Sequence, residues 1–113
     1  MEILFRALAD RTRLRLLNLI GDKEICVCFF VEILKTSQPK ISRHLAYLRR
    51  AGIVAARRDG KWMHYRFIEP EDATTRRVVD DVRRWLSSDA AMQREKQRLD
   101  GICCGGVASQ GTR

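Results

Sequence analysis

Apolar positions recur at helical spacing along most of the chain, and residues that start or stop helices separate the runs. Ile3, Leu4, Phe5 and Leu8 make a short helical pattern over 2–9. Asp10 is placed to cap a second helix, which Gly21 closes. Leu14, Leu17 and Ile20 mark its buried stripe, and Leu16 widens the stripe enough to predict burial on more than one side. Residues 26–35, CVCFFVEILK, read as a third helix, short and mostly apolar. A link, Thr36-Ser37-Gln38, leads to a fourth helix with Ser37 as N-cap and Pro39 in its first turn, where a missing N–H costs nothing. Ile41, Leu45 and Leu48 fall at i, i+4 and i+7, and Gly52 stops the run behind Arg49 and Arg50.

The pattern then changes period. Ile53–Arg58 and Trp62–Phe67 read as two strands joined through Asp59-Gly60, a strong hairpin signal. Beyond Glu69-Pro70, Glu71 or Asp72 begins one long last helix with Val78, Val79, Val82, Trp85 and Leu86 on a stripe that continues weakly through Met92 and Leu99. That stripe has nothing after it in the chain to cover it. It can pack on its own core, but an exposed stripe of this length predicts a dimer interface made with the first helix. The Gly-rich, aperiodic residues 101–113 predict a flexible tail.

The fold class is therefore mainly α with a β-hairpin wing (α+β). Residues 1–100 are one DNA-binding and dimerisation domain, and 101–113 are a cysteine-containing tail. Helix, tight turn, helix is the helix-turn-helix arrangement, and the hairpin after it makes a winged form.

Charge gives this fold a purpose. The 113 residues carry a formal net charge of +8, which favours an anionic partner. The charge gathers on one helix and one hairpin. Opposite the apolar stripe of the fourth helix lie Lys40, Ser42, Arg43, Tyr47 and Arg50, with Gln38 at its start and His44 on the flank; Arg57, Arg58 and Lys61 sit on the hairpin. A helix of this kind can read the major groove of double-stranded DNA while the hairpin grips the flanking backbone. His64, in the second strand, reads as structural. No run approaches the roughly 18 apolar residues of a membrane span. The amphipathic N-terminus with Glu2 is no signal peptide, so a cytoplasmic protein with reduced cysteines is expected. No nucleophile–base set, paired carboxylates or phosphate loop is present, so no enzyme and no organic cofactor are expected.

The four cysteines fall in two pairs, Cys26/Cys28 and Cys103/Cys104, and neither has the CxxC spacing of a zinc ribbon or thioredoxin-like motif. Thiolate is the donor that soft ions select, and trivalent arsenic or antimony takes three sulfurs in a pyramid. Cys26 and Cys28 can equally be small core residues. On a regular helix they point about 200° apart, so both share one site only if the first turn is irregular.

EICVC, SQPKISRHLAYLRRAGIV and DGKWMHYRF together resemble the ArsR/SmtB family of metal- and metalloid-responsive repressors, and within it the arsenic-responsive type. The likeness reaches to about residue 90. It implies a homodimeric winged helix that binds operator DNA and lets go when its inducer, As(III) or Sb(III), binds. It also implies a recognition helix at 38–50, a wing at 54–67 and a dimer built from the first and last helices. Cys26 and Cys28 match the first two ligands of the family's CVC-type site, but Val31 stands at the third. Cys103-Cys104 is similar to the vicinal pair that another branch places after the last helix. The family's zinc site on the last helix uses histidines and carboxylates, and this one has no histidine. Two arrangements stay open. In one, Cys103 and Cys104 chelate the metalloid and Cys26 or Cys28 completes the site; in the other, Cys26 and Cys28 bind and the tail assists. The first is the expectation, because a flexible vicinal pair can adapt to the pyramid. A thiol-redox sensor or a cadmium or lead sensor of the same fold is the alternative.

Overall fold

In the computed structural model, which describes residues 2–102, Asp10 caps as its position predicts. Its side chain accepts from the backbone N–H groups of Thr12 and Arg13 at 2.8 and 3.2 Å. It thereby separates α1 (Glu2–Leu8) from α2 (Arg11–Ile20). Leu16, Leu17, Leu19 and Ile20 are buried but Leu14 only partly, so the core stripe of α2 is broader than its heptad spacing suggests and shifted toward its C-terminal end.

Next comes an element the periodicity did not reveal: a three-residue strand, β1 (Glu24–Cys26). The predicted third helix is correspondingly shorter, α3 (Val27–Leu34), with Cys26 as an extended N-cap and Lys35 as a left-handed C-cap. α4 (Gln38–Arg50) has the limits the family likeness implied and buries Ile41, Leu45 and Leu48. Two details differ. The Ser37 side chain makes no capping hydrogen bond, so the start rests on Pro39, and the helix ends at an Ala51 cap one residue before Gly52.

β2 (Val54–Asp59) and β3 (Trp62–Phe67) form the hairpin. Asp59 pairs with Trp62, so the two-residue loop is Gly60-Lys61 rather than Asp59-Gly60. Gly60 alone takes positive φ, +65°, as a glycine at the first central position of a II′ turn does. β3 is central in the order β1-β3-β2, paired antiparallel on both sides. Alternation along β3 sends Tyr65 into the core against Phe30, ring centroids 6.4 Å apart.

The predicted last helix is two. α5 (Ala73–Ser88), capped by Asp72, stops at Asp89, whose φ of −84° and ψ of 125° are extended. The Asp89 carboxylate then caps α6 (Ala90–Ile102) by accepting from Met92 N–H at 3.0 Å. α6 packs against α2, α3 and α5 and buries Met92 and Leu99, so part of the weak stripe is covered within the chain after all. Asn18 donates to the Met92 carbonyl at 2.8 Å, and Glu95, 7% exposed, takes the Arg15 guanidinium on both oxygens. Gly21 takes φ +52°, which a glycine adopts without strain, and closes α2 beside the Lys96 side chain of α6. Gly101 and Ile102 belong to α6, not to a tail. Residues 103–113, with Cys103 and Cys104, lie outside the described residues. Among the described residues no helix is long and apolar enough to cross a membrane.

Candidate functional site

The exposed face of α4 is built by what lies behind it. Ile41, Leu45 and Leu48 are fully buried, which turns Gln38, Lys40, Arg43 and Arg50 outward. The helix contains no acidic residue. Ser42, His44 and Tyr47 are half-buried, and two of them are held from behind by α2. The Arg13 guanidinium lies 3.6 Å from the Tyr47 ring centroid, and its Nε donates to His44 Nδ1 at 3.3 Å. Arg13 also donates to the Arg6 carbonyl at 2.7 Å, so one side chain ties α1 and α2 to the outward face of α4. With Nδ1 accepting, the proton of the neutral His44 ring sits on Nε2. Nothing in the spacing of Arg13 marked it for this position.

The hairpin presents Arg58 and Lys61 freely, and Lys61 Nζ lies 5.7 Å from the ring centroid of Trp62, which is 42% exposed. Arg57 is also exposed but differently placed. Its guanidinium reaches across the sheet to Glu24 on β1, with Nε at 3.1 and 3.2 Å from the two oxygens. The hydrogen bonds from Arg57 hold the Glu24 carboxyl below its ordinary range. This pair depends on β1, so it could not be read from the sequence pattern.

β1 also resolves the geometry of Cys26 and Cys28. Cys26 is the last residue of a strand and Cys28 the second residue of α3, so the 200° divergence of a regular helix does not apply. The Cys28 thiol donates to Cys26 Sγ at 3.0 Å, too long for a disulfide and close enough for both sulfurs to bind one ion. Cys26 is buried and Cys28 half-buried. Burial first, and then the neighbouring sulfur, push the Cys28 thiol up to about 12. Val31, where a third ligand would stand, is partly buried against the core. His64 pairs with Cys26 in the ladder. No three His, Cys, Asp or Glu side chains gather into a metal-binding cluster among the described residues, so Cys26 and Cys28 stand there as a pair of sulfurs.

A cationic, acid-free helix presented beside a basic hairpin defines a winged helix-turn-helix DNA-binding protein. The model of bacterial regulatory proteins of the arsR family matches residues 10–56. The chain is 51% identical over 94 residues to the arsenic resistance transcriptional regulator ArsR1 of Pseudomonas putida, covering 78% of this chain and 73% of that one. It is 39% identical over 104 residues to the arsenical resistance operon repressor of Escherichia coli, covering 91% and 87%. A solved structure described as a possible transcriptional regulator for arsenical resistance superposes with a TM-score of 0.59 at 29% identity, covering 89% and 96%. The chain belongs to the arsR family, and it is a transcriptional regulator of the repressor type rather than an enzyme.

Proposed function

We propose that this repressor holds operator DNA as a cytoplasmic homodimer and releases it when As(III) or Sb(III) is bound by cysteine thiolates. The observation that carries the reading is the 3.0 Å approach of Cys26 and Cys28 at the junction of β1 and α3. Cys103 or Cys104 would supply the third sulfur. α6 ends at Ile102, which shares a hollow with Glu32, Ile33 and Lys35 at the C-terminal end of α3. This is the second of the two arrangements the sequence left open, in which Cys26 and Cys28 bind and the tail assists, and it replaces the first, which was the expectation.

Cys28, whose thiol burial holds protonated, suits a trivalent oxyacid. In the exchange each thiol gives its proton to one hydroxide of arsenous acid, which leaves as water as the As–S bond replaces the As–O bond. Three thiols thus exchange for three hydroxides with no net proton release. A divalent ion taking the same sulfurs must expel their protons, so its apparent affinity would rise up to about tenfold per pH unit for each proton released. Ile3 and Phe5 on α1 and Trp85 on α5, 52%, 53% and 52% exposed, support a dimer built from these helices. Such a dimer presents two α4 helices to successive major grooves, about 34 Å apart. A ligand favouring a dimer geometry that misses this spacing by about 3 kcal/mol suffices to switch occupancy.

The test is an operator-release titration with As(III), Sb(III), Cd(II) and Zn(II) at two pH values, on the wild type and on paired Cys→Ser variants. Release by As(III) at equal concentrations at both pH values, abolished in C26S/C28S and weakened in C103S/C104S, is the expected result. Operator binding unchanged under every ion would end the proposal. The approach of Cys26 and Cys28 also supports a second reading, in which peroxide oxidises two thiols to a disulfide and is itself reduced to water. Release by peroxide with no metalloid present, and none by As(III), would select it.

A further inference from the structure

On the side of α2 away from α4, the chain assembles a concentration of guanidinium groups that DNA reading does not use. Arg11 and Arg15 stand one turn apart on α2, and Arg94 and Arg98 one turn apart on α6. All four line a single open groove of about 320 Å³ between the two helices, completed by Ala91, Met92 and Glu95. Glu95 is the only acid among these lining residues, and Arg15 already occupies both its oxygens; Arg98 stands 3.9 Å from one of them. Four cations against one carboxylate leave the groove with an excess of three positive charges. Arg11 and Arg94 are exposed and form no ion pair among the described residues. Asp10 and Asp89 already cap the first turns of both helices, so the guanidinium groups rather than the helix dipoles set the potential of the groove. Arg13, which contacts α4, lies about 200° around α2 from Arg11, so the groove faces away from the recognition helix.

We propose that this groove is a binding site for a small polyvalent oxyanion of the phosphate, sulfate or arsenate type. Arg11 and Arg94 close on the anion, while Glu95 holds Arg15 in place at the floor. Because the anion touches both α2 and α6, it fastens the C-terminal helix to the body. The site is independent of the cysteine reading.

The probes are inorganic phosphate and sulfate, added to the full chain against chloride at matched ionic strength. Calorimetric titration with phosphate should give saturable binding, and the Tm should rise by about 5 °C at ten times the dissociation constant. Arg11→Gln with Arg94→Gln should remove the saturable binding and the anion-specific part of the rise, and leave the Tm in chloride and the operator affinity as they were. Should the double variant fold poorly, Arg94→Gln alone must weaken phosphate binding at least tenfold. An equal rise in wild type and variant would be general salting-out by the anion and would overturn the proposal. So would a fall of about two in the salt slope of operator binding in the double variant, since both arginines would then be spent on the DNA backbone.

Discussion

On α4, Lys40, Arg43, Arg49 and Arg50 face solvent, and none forms an ion pair among the described residues. On the far side of α2, Arg11 and Arg94 are likewise free, but other residues of the same types are engaged within the protein. Arg15 is held by Glu95, Lys23 reaches Asp100 at 3.3 Å, and Arg83 binds the Gly21 carbonyl and Asp22 while lying 3.8 Å from the Phe67 ring centroid. The hairpin divides along the same line, with Arg57 tied to Glu24 and Arg58 free. Overall charge therefore says little about which cations meet DNA. The placement of fourteen acids decides which of twenty-two lysines and arginines stay available.

The comparison breaks most easily in the core. Leu45 on α4 and Leu99 on α6 are both fully buried. Each Leu→Ala change should cost about 2–5 kcal/mol of unfolding free energy if α6 is as firmly part of the domain as α4. A urea titration in which Leu99→Ala costs under about 1 kcal/mol would make α6 a loosely docked arm. Next in size, Arg43→Ala should weaken operator binding by about 1–3 kcal/mol and relax base preference. An equal loss on random duplex would remove its base-reading role.

The hairpin sharpens the contrast further. Arg58→Ala should flatten the salt dependence of binding on every sequence by about 0.9 in slope. Arg57→Ala should do less, because Glu24 already neutralises that guanidinium, and Glu24→Gln should strengthen binding to all duplexes by freeing it. Equal effects at 57 and 58 would show that the ion pair yields to DNA. The smallest effect is on acid stability. Glu24 is depressed from 4.5 by Arg57, and Asp72 from 3.8 by the Thr75 N–H and hydroxyl. The unfolded chain therefore binds these protons first. Their contribution is complete above the unfolded values and fades as pH falls through the lower folded ones. Both groups are exposed, so Arg57→Ala should lower the urea midpoint only slightly at pH 6, and by less as the solution is acidified below the ordinary carboxylate range.

Local signals carried much of the fold. The i, i+4, i+7 spacing of Ile41, Leu45 and Leu48, the cap at Asp10 and the change of period at Ile53 are properties of neighbouring residues, and each led to the right element. β1 was illegible because three residues, EIC, hold no period, and their extended form comes from pairing with β3 some forty residues on. The break at Asp89 had a signal, Ser-Ser-Asp before a helical run, but apolar residues on both sides disguised it as one stripe. Tyr47 fell on the outward face by angle, yet the Arg13 guanidinium lies over its ring, a contact between helices that spacing does not encode. The meeting of Cys26 and Cys28 was conditional on an irregular first turn, and the strand provides it.

β1 has a mechanical consequence. Cys26 lies opposite His64, and His64 opposite Arg57, so one row of paired residues crosses the three strands from the sulfur-bearing residue to the outer edge of the hairpin. That row is three residues long, so whatever displaces Cys26 would have the width of a narrow sheet, and no more, to cross before it met Arg57.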